Sequence, residues 1–159
     1  MDFVDLRHAG ADLRAAALAL NAEHEVETAP LDAGGLSALL TACVIAPAHP
    51  DGRAFLLGLG PGQPYDSVNY RWVAERYADF IYVDRVIVGH DLRGRGVGRA
   101  LYGAAFAHER RHGVPVVCEV NWVPPNPGSD AFHAALGFAE VGRGAPGPGK
   151  EVRYLAWTP

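Results

Sequence analysis

The sequence is almost free of lysine: all of its 14 basic residues are arginine except Lys150. No lysine therefore lies near the glycine-rich turn at residues 93–98. A P-loop needs Gly-Lys-Ser or Gly-Lys-Thr after its glycines, so this class of nucleotide site is excluded. The 18 acidic residues give a net charge of −4. That charge argues against a surface that follows the phosphates of a nucleic acid, and we expect no nucleic-acid partner.

Cysteine and long apolar runs are also scarce. Cys43 and Cys118 both lie in apolar, strand-like runs, which favours buried thiols over a disulfide and indicates a reducing, intracellular setting. No apolar run approaches the length that spans a bilayer, and residues 1–5 lack the basic start of an export signal. We therefore expect a cytoplasmic protein without a membrane partner. Its 159 residues predict a single domain, 1–159.

The apolar residues follow helix-like and strand-like periods in turn along the chain. They predict helices over residues 12–23, 33–42 and 97–112, hairpins over 43–59 and 138–157, and strands over 80–88 and 114–120. The expected fold is α/β, with a single mixed, mostly antiparallel central sheet of about six to seven strands and helices on both faces. Residues 3–6 are expected to add a first strand, and the glycine- and proline-rich residues 142–149 to form a mobile hairpin tip.

The most informative stretch is an apolar strand that leads into a glycine-rich turn and then into a helix. The strand contains Val86, Ile87 and Val88, and the turn and the first helical residues are Arg93, Gly94, Arg95, Gly96, Val97, Gly98 and Arg99. The first amides of a helix have no intrahelical partner and lie at the positive end of its dipole. The glycines allow a close approach of phosphate oxygens, and the arginines add positive charge. The order of these elements predicts a pyrophosphate site.

A dinucleotide fingerprint, G-x-G-x-x-G, is a second interpretation of the same turn. It can start at Gly94 or at Gly96, but its third glycine then falls on Arg99 or on Leu101. The acidic residue expected some twenty positions later is supplied by Glu119. A nucleotide-dependent oxidoreductase therefore stays open as an alternative.

Two patterns in the second half of the chain resemble those of the GNAT superfamily, the Gcn5-related N-acetyltransferases. The turn is similar to its Arg/Gln-x-x-Gly-x-Gly/Ala signature. The later family pattern is Asn-x-x-Ala-x-x-Leu-Tyr-x-x-x-Gly-Phe, with Ser here in place of Ala, Phe in place of Leu and His in place of Tyr. The matching residues are Asn126, Ser129, Phe132, His133, Gly137 and Phe138. The resemblance implies a sheet whose central strands splay apart, and acetyl-CoA as the acetyl donor without a metal.

The resemblance also implies which residues contact that donor. The main chain of Val86, Ile87 and Val88 would bind the pantetheine, and residues 93–99 would bind the pyrophosphate. Asn126 and Ser129 would lie near the pantetheine arm, and the Val88 amide would stabilise the charge on the carbonyl oxygen. The reaction implied is direct attack of a neutral amine on the thioester in a ternary complex.

Three titratable residues are candidates for catalysis. His133 stands where the family has a tyrosine that protonates the leaving thiolate; alternatively it is a surface histidine that only hydrogen-bonds the cofactor or solvent. Asp84 and Glu119 are carboxylates inside apolar strands, where burial raises a carboxyl pKa into the useful range for a base. By two-residue alternation we expect Asp84 to share a face with Val86 and Val88. Structural ion pairs with Arg85 or Arg71 are the alternative for both carboxylates, and a water relay from a more distant group is another.

A zinc site is a rival hypothesis, because residues 108–112 match H-E-x-x-H. His108 and His112 would lie one helical turn apart, with Glu109 as the base. The motif lies in the last turn of its helix, contains two arginines, and has Pro115 where the longer metzincin form needs glycine. Basic residues are expected at a helix C-terminus on dipole grounds alone, and the preferred prediction is therefore that there is no metal.

The acceptor is a primary amine of a small molecule or peptide that the sequence does not identify. The resemblance implies an acceptor pocket built from residues 21–28 and 65–77, and neither segment matches a family pattern. Acidic Glu23, Glu25 and Glu27 would suit a cation, or they form a solvated turn. A non-catalytic acyl-CoA-binding module is a further alternative, and a homodimer stays open.

Overall fold

The computed structural model describes residues 1–158. These residues form an eight-stranded sheet with helices on both faces. The helices are α1 (Ala11–Glu23), α2 (Ala33–Ala42), α3 (Val68–Ala74), α4 (Val97–His112) and α5 (Pro127–Leu136). The strands are β1 (Val4–Asp5), β2 (Cys43–Ile45), β3 (Pro47–Ala48), β4 (Ala54–Leu59), β5 (Ile81–Val88), β6 (Val116–Val123), β7 (Ala139–Gly147) and β8 (Lys150–Trp157). The predicted α/β class is confirmed.

The sheet is mixed and mostly antiparallel, as predicted. Its order is β1-β3-β4-β5-β6-β8-β7, and β2 also pairs with β4. In the described chain, β5 and β6 are the single parallel pair, and the crossover between them contains α4. The predicted first strand over residues 3–6 is shorter than expected, because the chain turns into a 3₁₀ helix at Leu6.

Each face of the sheet has its own apolar cluster. Leu20 of α1 and Leu36 of α2 pack with Phe55 on one face. Leu101 of α4 packs with Phe138 on the other. The two clusters hold α1–α3 and α4–α5 on opposite sides of the same strands, so a gap between strands is bounded by helices on both faces.

Such a gap lies between β5 and β6. The two strands pair only at Ile81↔Val116 and Tyr82↔Val117, near their beginnings. Beyond these pairs β5 is bonded only to β4, and β6 only to β8. The splay implied by the sequence resemblance is therefore present, and the later residues of β5 and β6 form its walls.

A β-bulge in β5 changes which residues face the gap. Leu57 of β4 pairs with Arg85, and the next residue, Gly58, pairs with Val83. Asp84 is therefore an extra residue in β5. The regular alternation of side chains stops at this position, because two residues of β5 stand opposite one step of β4.

The expectation that Asp84 shares a face with Val86 and Val88 is wrong for this reason. Val86 and Val88 pack against the cluster of α4 and α5. Asp84 instead contacts Tyr65, which packs against the cluster of α1–α3. The bulge thus separates the carboxylate from the valines that follow it.

The late hairpin contains more regular β structure than the sequence suggests. Residues 142–149 were expected to be a mobile tip, but β7 extends to Gly147 and pairs there with Lys150 of β8. Trp72 of α3 stacks on Tyr154 of β8 at a centroid distance of 3.8 Å. A Cβ at Gly142 would come within 2.3 Å of Trp72, so glycine at this position lets the indole cover the hairpin. Packing on α3 therefore overrides the composition of the tip.

Candidate active site

The glycine-rich turn leaves free amides where α4 begins. Gly94 and Gly96 have φ angles of +72° and +77°, a conformation that favours glycine. α4 starts at Val97, and the first backbone bond of this helix runs from Ala100 N to Gly96 O at 3.0 Å. Between Gly94 and Arg99 none of the backbone amides has a backbone acceptor within the described chain. These amides stand at the positive end of the helix dipole, which is the arrangement that binds phosphate groups.

Three exposed arginines surround these amides. Arg93, Arg95 and Arg99 are solvent-exposed, and none of them makes an ion pair with a carboxylate in residues 1–158. Arg93 Nε donates to the Val88 carbonyl at 3.2 Å, which ties the turn to the end of β5. Unpaired positive charge next to free amides favours binding of a diphosphate.

Gly98 has a packing role that the sequence did not reveal. A Cβ at this position would lie 3.0 Å from the ring of Phe132, because α5 crosses α4 closely here. The sequence assigned Gly98 only to the approach of phosphate. The structure shows that it also lets α5 bring Ser129 and His133 to the same cavity.

A cavity of about 660 Å³ extends from the turn along β5 to the first turn of α5, and we call it the donor cavity. Every residue predicted from the sequence to contact the cofactor lies in its wall except Arg95, an exposed residue of the same turn. The remaining lining residues include His24, Glu27 and Thr28, from the segment after α1. The sequence placed this segment near the acceptor and not along the donor cavity. His24 Nε2 is buried there with no hydrogen-bond partner.

A second cavity of about 170 Å³ adjoins the donor cavity, and we call it the acceptor cavity. The two share Asn126, Ser129 and His133 in their walls. Both carboxylates that the sequence proposed as bases, Asp84 and Glu119, line the acceptor cavity. The gap between β5 and β6 therefore brings all three predicted catalytic residues to one place.

Asp84 is held in a structural network. Its Oδ2 accepts from Arg85 Nε at 2.7 Å, and its Oδ1 accepts from the Tyr65 hydroxyl. Arg85 is itself buried and donates to Asn21 Oδ1 at 2.7 Å. The ion pair that the sequence analysis gave as the alternative for Asp84 is present. Both carboxylate oxygens are engaged, which leaves Asp84 poorly placed to take a proton from a substrate.

Glu119 has one engaged and one free oxygen. Its Oε1 accepts from the Tyr82 hydroxyl at 3.0 Å and from Asn69 Nδ2 at 3.1 Å. The Tyr154 hydroxyl donates to Asn69 Oδ1 at 2.7 Å and so fixes the amide orientation. Glu119 Oε2 is buried without a partner. Burial, followed by the negative charge of Asp84, raises the pKa of Glu119 to about 8.

His133 is buried rather than on the helix surface, with 4% of its area exposed. Its Nδ1 lies 2.8 Å from the Ser129 carbonyl, which can only accept, so this nitrogen holds the hydrogen of the neutral ring. Its Nε2 lies 2.7 Å from the hydroxyl of Tyr102, a residue of α4 that the sequence analysis did not single out. Burial lowers the pKa of His133 and favours that neutral form. His133 and Tyr102 therefore act as a hydrogen-bonded pair.

The end of β5 presents its backbone to the gap. Gly89 N donates to Arg53 O at 2.8 Å, on the β4 side of the strand. Successive peptide groups of a strand point to opposite sides, so the Val88 amide faces away from β4. This is the orientation that the predicted role of the Val88 amide requires.

The H-E-x-x-H motif does not form a catalytic arrangement. The rings of His108 and His112 lie close, with centroids 4.4 Å apart. Glu109, however, is fully buried, and neither of its carboxylate oxygens is accessible to a site that these rings would share with solvent. Within residues 1–158 there is no group of three or more metal-ligating side chains. The donor set therefore does not fit a catalytic zinc.

The segments predicted to form the acceptor pocket contribute in part. From residues 65–77, Asn69 lines the acceptor cavity, and Tyr65 positions Asp84. From residues 21–28, Glu27 and Thr28 line it, while Glu23 forms an exposed ion pair with Arg53 at 3.2 Å. The acidic turn is thus split between the cavity and solvent.

In the described part of the chain, no helix is both long and apolar enough to cross a membrane.

This geometry, with free amides at a helix N-terminus beside an adjoining polar cavity, fits a class of protein that binds a phosphate-bearing ligand. Residues 35–138 match the sequence profile of the acetyltransferase (GNAT) family, which covers more than half of the chain. The chain belongs to the GNAT family, whose enzymes are acetyltransferases. The sequence resemblance is therefore confirmed.

Solved structures of acetyltransferases share the fold. The ribosomal-protein-S18-alanine N-acetyltransferase from Escherichia coli is 18% identical, with a TM-score of 0.66 over 99% of this chain and 92% of that chain. Arabidopsis thaliana NAA60 in complex with a bisubstrate analogue is 14% identical, with a TM-score of 0.69 over 99% and 97%. An aminoglycoside 6'-N-acetyltransferase complexed with coenzyme A is 13% identical, with a TM-score of 0.71 over 99% and 97%. No curated protein sequence is similar enough to count as a match.

Proposed function

We propose that this protein transfers the acetyl group of acetyl-CoA to a primary amine of a small molecule or peptide, by direct attack in a ternary complex. One observation carries the proposal. The donor cavity ends in free amides and exposed arginines, and it meets the acceptor cavity at the gap between β5 and β6. Solved structures with this fold include the NatC complex bound to a Gag peptide and CoA, a ribosomal-protein N-acetyltransferase and an aminoglycoside N-acetyltransferase, so the fold leaves the size of the acceptor open.

The chain binds the donor mainly through its backbone. The amides of residues 94–99 hold the diphosphate, and Arg93 and Arg99 neutralise its charge from the cavity wall. The backbone of β5 from Val86 to Val88 lies along the pantetheine, and Asn126 and Ser129 also line this part of the cavity. When bound, acetyl-CoA supplies an activated thioester at the point where the two cavities meet.

Glu119 acts as the base. An alkyl amine with a pKa near 10.4 is protonated at neutral pH and must lose a proton before it attacks. Glu119 has a free oxygen in the acceptor cavity, and its ionised form, whose share grows as the pH rises through about 8, accepts that proton. Asp84 stabilises the protonated form of Glu119 through its own negative charge.

The leaving thiolate needs a proton, and the carbonyl oxygen needs a hydrogen-bond donor. The His133–Tyr102 pair passes the second proton of the attacking nitrogen to the thiolate and so ends in its starting protonation state, while the Ser129 carbonyl holds the hydrogen of the neutral ring on Nδ1. The Val88 amide donates to the carbonyl oxygen while negative charge develops there.

A thermal-shift experiment followed by a turnover screen tests the proposal. Coenzyme A and acetyl-CoA are expected to raise the melting temperature, and NAD is not. Thiol release from acetyl-CoA is then measured over a panel of amines, amino acids, aminoglycosides and peptides. Stabilisation by acetyl-CoA with no turnover on any acceptor would indicate a binding module instead of an enzyme. Stabilisation by NAD alone would indicate an oxidoreductase.

A further inference from the structure

The chain's single lysine lies in the acceptor cavity. Lys150 is the first residue of β8, at the turn of the late hairpin, and its side chain lines the cavity together with Glu119, Asn69 and His133. This placement was not expected from the sequence, which gave the hairpin tip no contact with the site.

The Lys150 amine is not committed to a structural role. No hydrogen bond or ion pair holds it within residues 1–158, although this chain engages most of its buried and half-buried charges. The positive charge of Lys150 acts on Glu119 across the cavity and lowers the pKa of that carboxyl, partly opposing the effects of burial and Asp84. The amine and the proposed base therefore face the same small space.

The size of the cavity keeps these groups close. Its volume of about 170 Å³ equals that of about six water molecules. A lysine amine stands on a flexible four-carbon chain, so it can move within a space of this size. His133 lines this cavity and also the donor cavity, where the thioester would lie. The lysine thus lines the cavity in which an acceptor amine would meet the thioester.

We propose that Lys150 is a self-acetylation site, acetylated by the acetyl-CoA bound in the same molecule when no other acceptor fills the acceptor cavity. This inference rests on the proposed transferase function. A second molecule of this chain is the competing source of the acetyl group, and the experiment below distinguishes it.

The transfer of the acetyl group to Lys150 uses the residues proposed for the transferase reaction. Lys150 Nζ loses a proton to Glu119 and forms a bond to the carbonyl carbon of the thioester. The carbon–sulfur bond breaks, and the sulfur leaves with the bonding electrons as the thiolate of coenzyme A. The nitrogen then loses its second proton, which the His133–Tyr102 pair passes to that thiolate. The products are Nε-acetyl-lysine at position 150 and free coenzyme A.

The experiment is incubation of the purified full chain with acetyl-CoA that has an isotopically labelled acetyl group, followed by digestion and mass spectrometry. Because Lys150 is the only lysine, the other amine that can take the label is the α-amine of Met1, which is exposed. Uncatalysed acetylation follows the neutral fraction of each amine. It favours an α-amine over a lysine by roughly 200- to 400-fold near neutral pH.

We expect the opposite order, with the label on Lys150 appearing faster than the label on Met1. Its first-order rate constant should not change when the protein is diluted tenfold, because donor and acceptor belong to one molecule. Lys150 can also carry an unlabelled acetyl group when the protein is purified, and mass spectrometry measures this fraction as well. Such prior acetylation supports the proposal if it is absent from the Glu119→Gln variant purified in the same way. Lys150→Arg keeps the charge without an acetylatable amine, and it should lose this label and retain coenzyme A binding.

Three outcomes would overturn the inference. The first is that Lys150 carries no acetyl group although coenzyme A stabilises the protein. This result would refute self-acetylation and leave the proposed function intact. Another is label on Met1 before Lys150, which shows simple chemical acetylation. The third is a rate constant that falls with dilution, which shows transfer between molecules. If coenzyme A does not stabilise the protein at all, the proposed function fails as well.

Discussion

Replacing Glu119 by glutamine should make the protein more stable and less active at the same time. In the folded protein, burial and the charge of Asp84 raise the pKa of this carboxyl from 4.5 to about 8. The folded state therefore binds the proton more tightly than the unfolded chain. The stability that this group contributes is complete below pH 4.5 and is lost as the pH rises to about 8. At about 1.4 kcal/mol per pH unit, the full loss is on the order of 5 kcal/mol.

Glutamine removes this loss because it does not ionise. Its side-chain oxygen can still accept from Tyr82 and Asn69, as Glu119 Oε1 does. If the substitution recovers only a fifth of this lost stability, the free energy of unfolding increases by about 1 kcal/mol. An increase of that size raises the melting temperature by roughly 2–4 °C. We expect this gain at pH 8.5 and not at pH 4, where Glu119 is protonated in both states. Without the base, kcat should fall by about 10²- to 10⁴-fold.

The assay compares thermal unfolding of the wild type and the Glu119→Gln variant at both pH values, together with turnover at saturating acetyl-CoA. Glu151→Gln is the matched control, because it makes the same change at an exposed position of β8. It should alter neither the pH dependence of stability nor kcat. An equal difference between Glu119→Gln and the wild type at pH 4 and pH 8.5 would show that the carboxyl has an ordinary pKa. Retained kcat would show that it is not the base.

Three further substitutions test the donor cavity and the proton donor. Gly96→Ala forces a Cβ into the left-handed region and should destabilise the fold by about 1–2 kcal/mol and weaken coenzyme A binding. Its control, Gly103→Ala in an open position of α4, should stabilise the fold by about 0.5–1 kcal/mol in the same unfolding assay; destabilisation by both would discount the strain argument. Arg99→Gln should raise the KM for acetyl-CoA with kcat unchanged in steady-state kinetics, and an unchanged KM would remove this arginine from the donor site. His133→Ala should lower kcat more than it weakens acetyl-CoA binding, and unchanged turnover of a folded variant would remove the proton-donor role. His112→Ala changes an exposed residue and should leave kcat and KM unchanged. A loss of activity in this variant would revive the zinc hypothesis.

The donor side of the site could be predicted from the sequence because it depends on local backbone geometry. Gly94, Gly96 and the start of α4 lie within a few residues of one another, and the strand before them is continuous. A short pattern therefore specifies both the turn and the free amides. The fold class followed in the same way from the order of strand-like and helix-like segments.

The acceptor side could not be predicted, because it depends on contacts between distant segments. The bulge at Asp84 arises from the register with β4, and it moved this carboxylate away from the face that alternation assigns. Tyr102 meets His133 only because α4 and α5 pack closely, 31 positions apart in the chain. Lys150 lines the cavity from the turn between β7 and β8, at the far end of the chain from α1. None of these contacts leaves a local pattern in the sequence.

A crystal structure of the protein with coenzyme A tests the central claim most directly. The account predicts that oxygens of the diphosphate lie within hydrogen-bond distance of the amides of residues 94–99, and that the thiol lies beside His133 at the gap between β5 and β6. Coenzyme A bound elsewhere, or a turn filled by side chains of the protein itself, would contradict it.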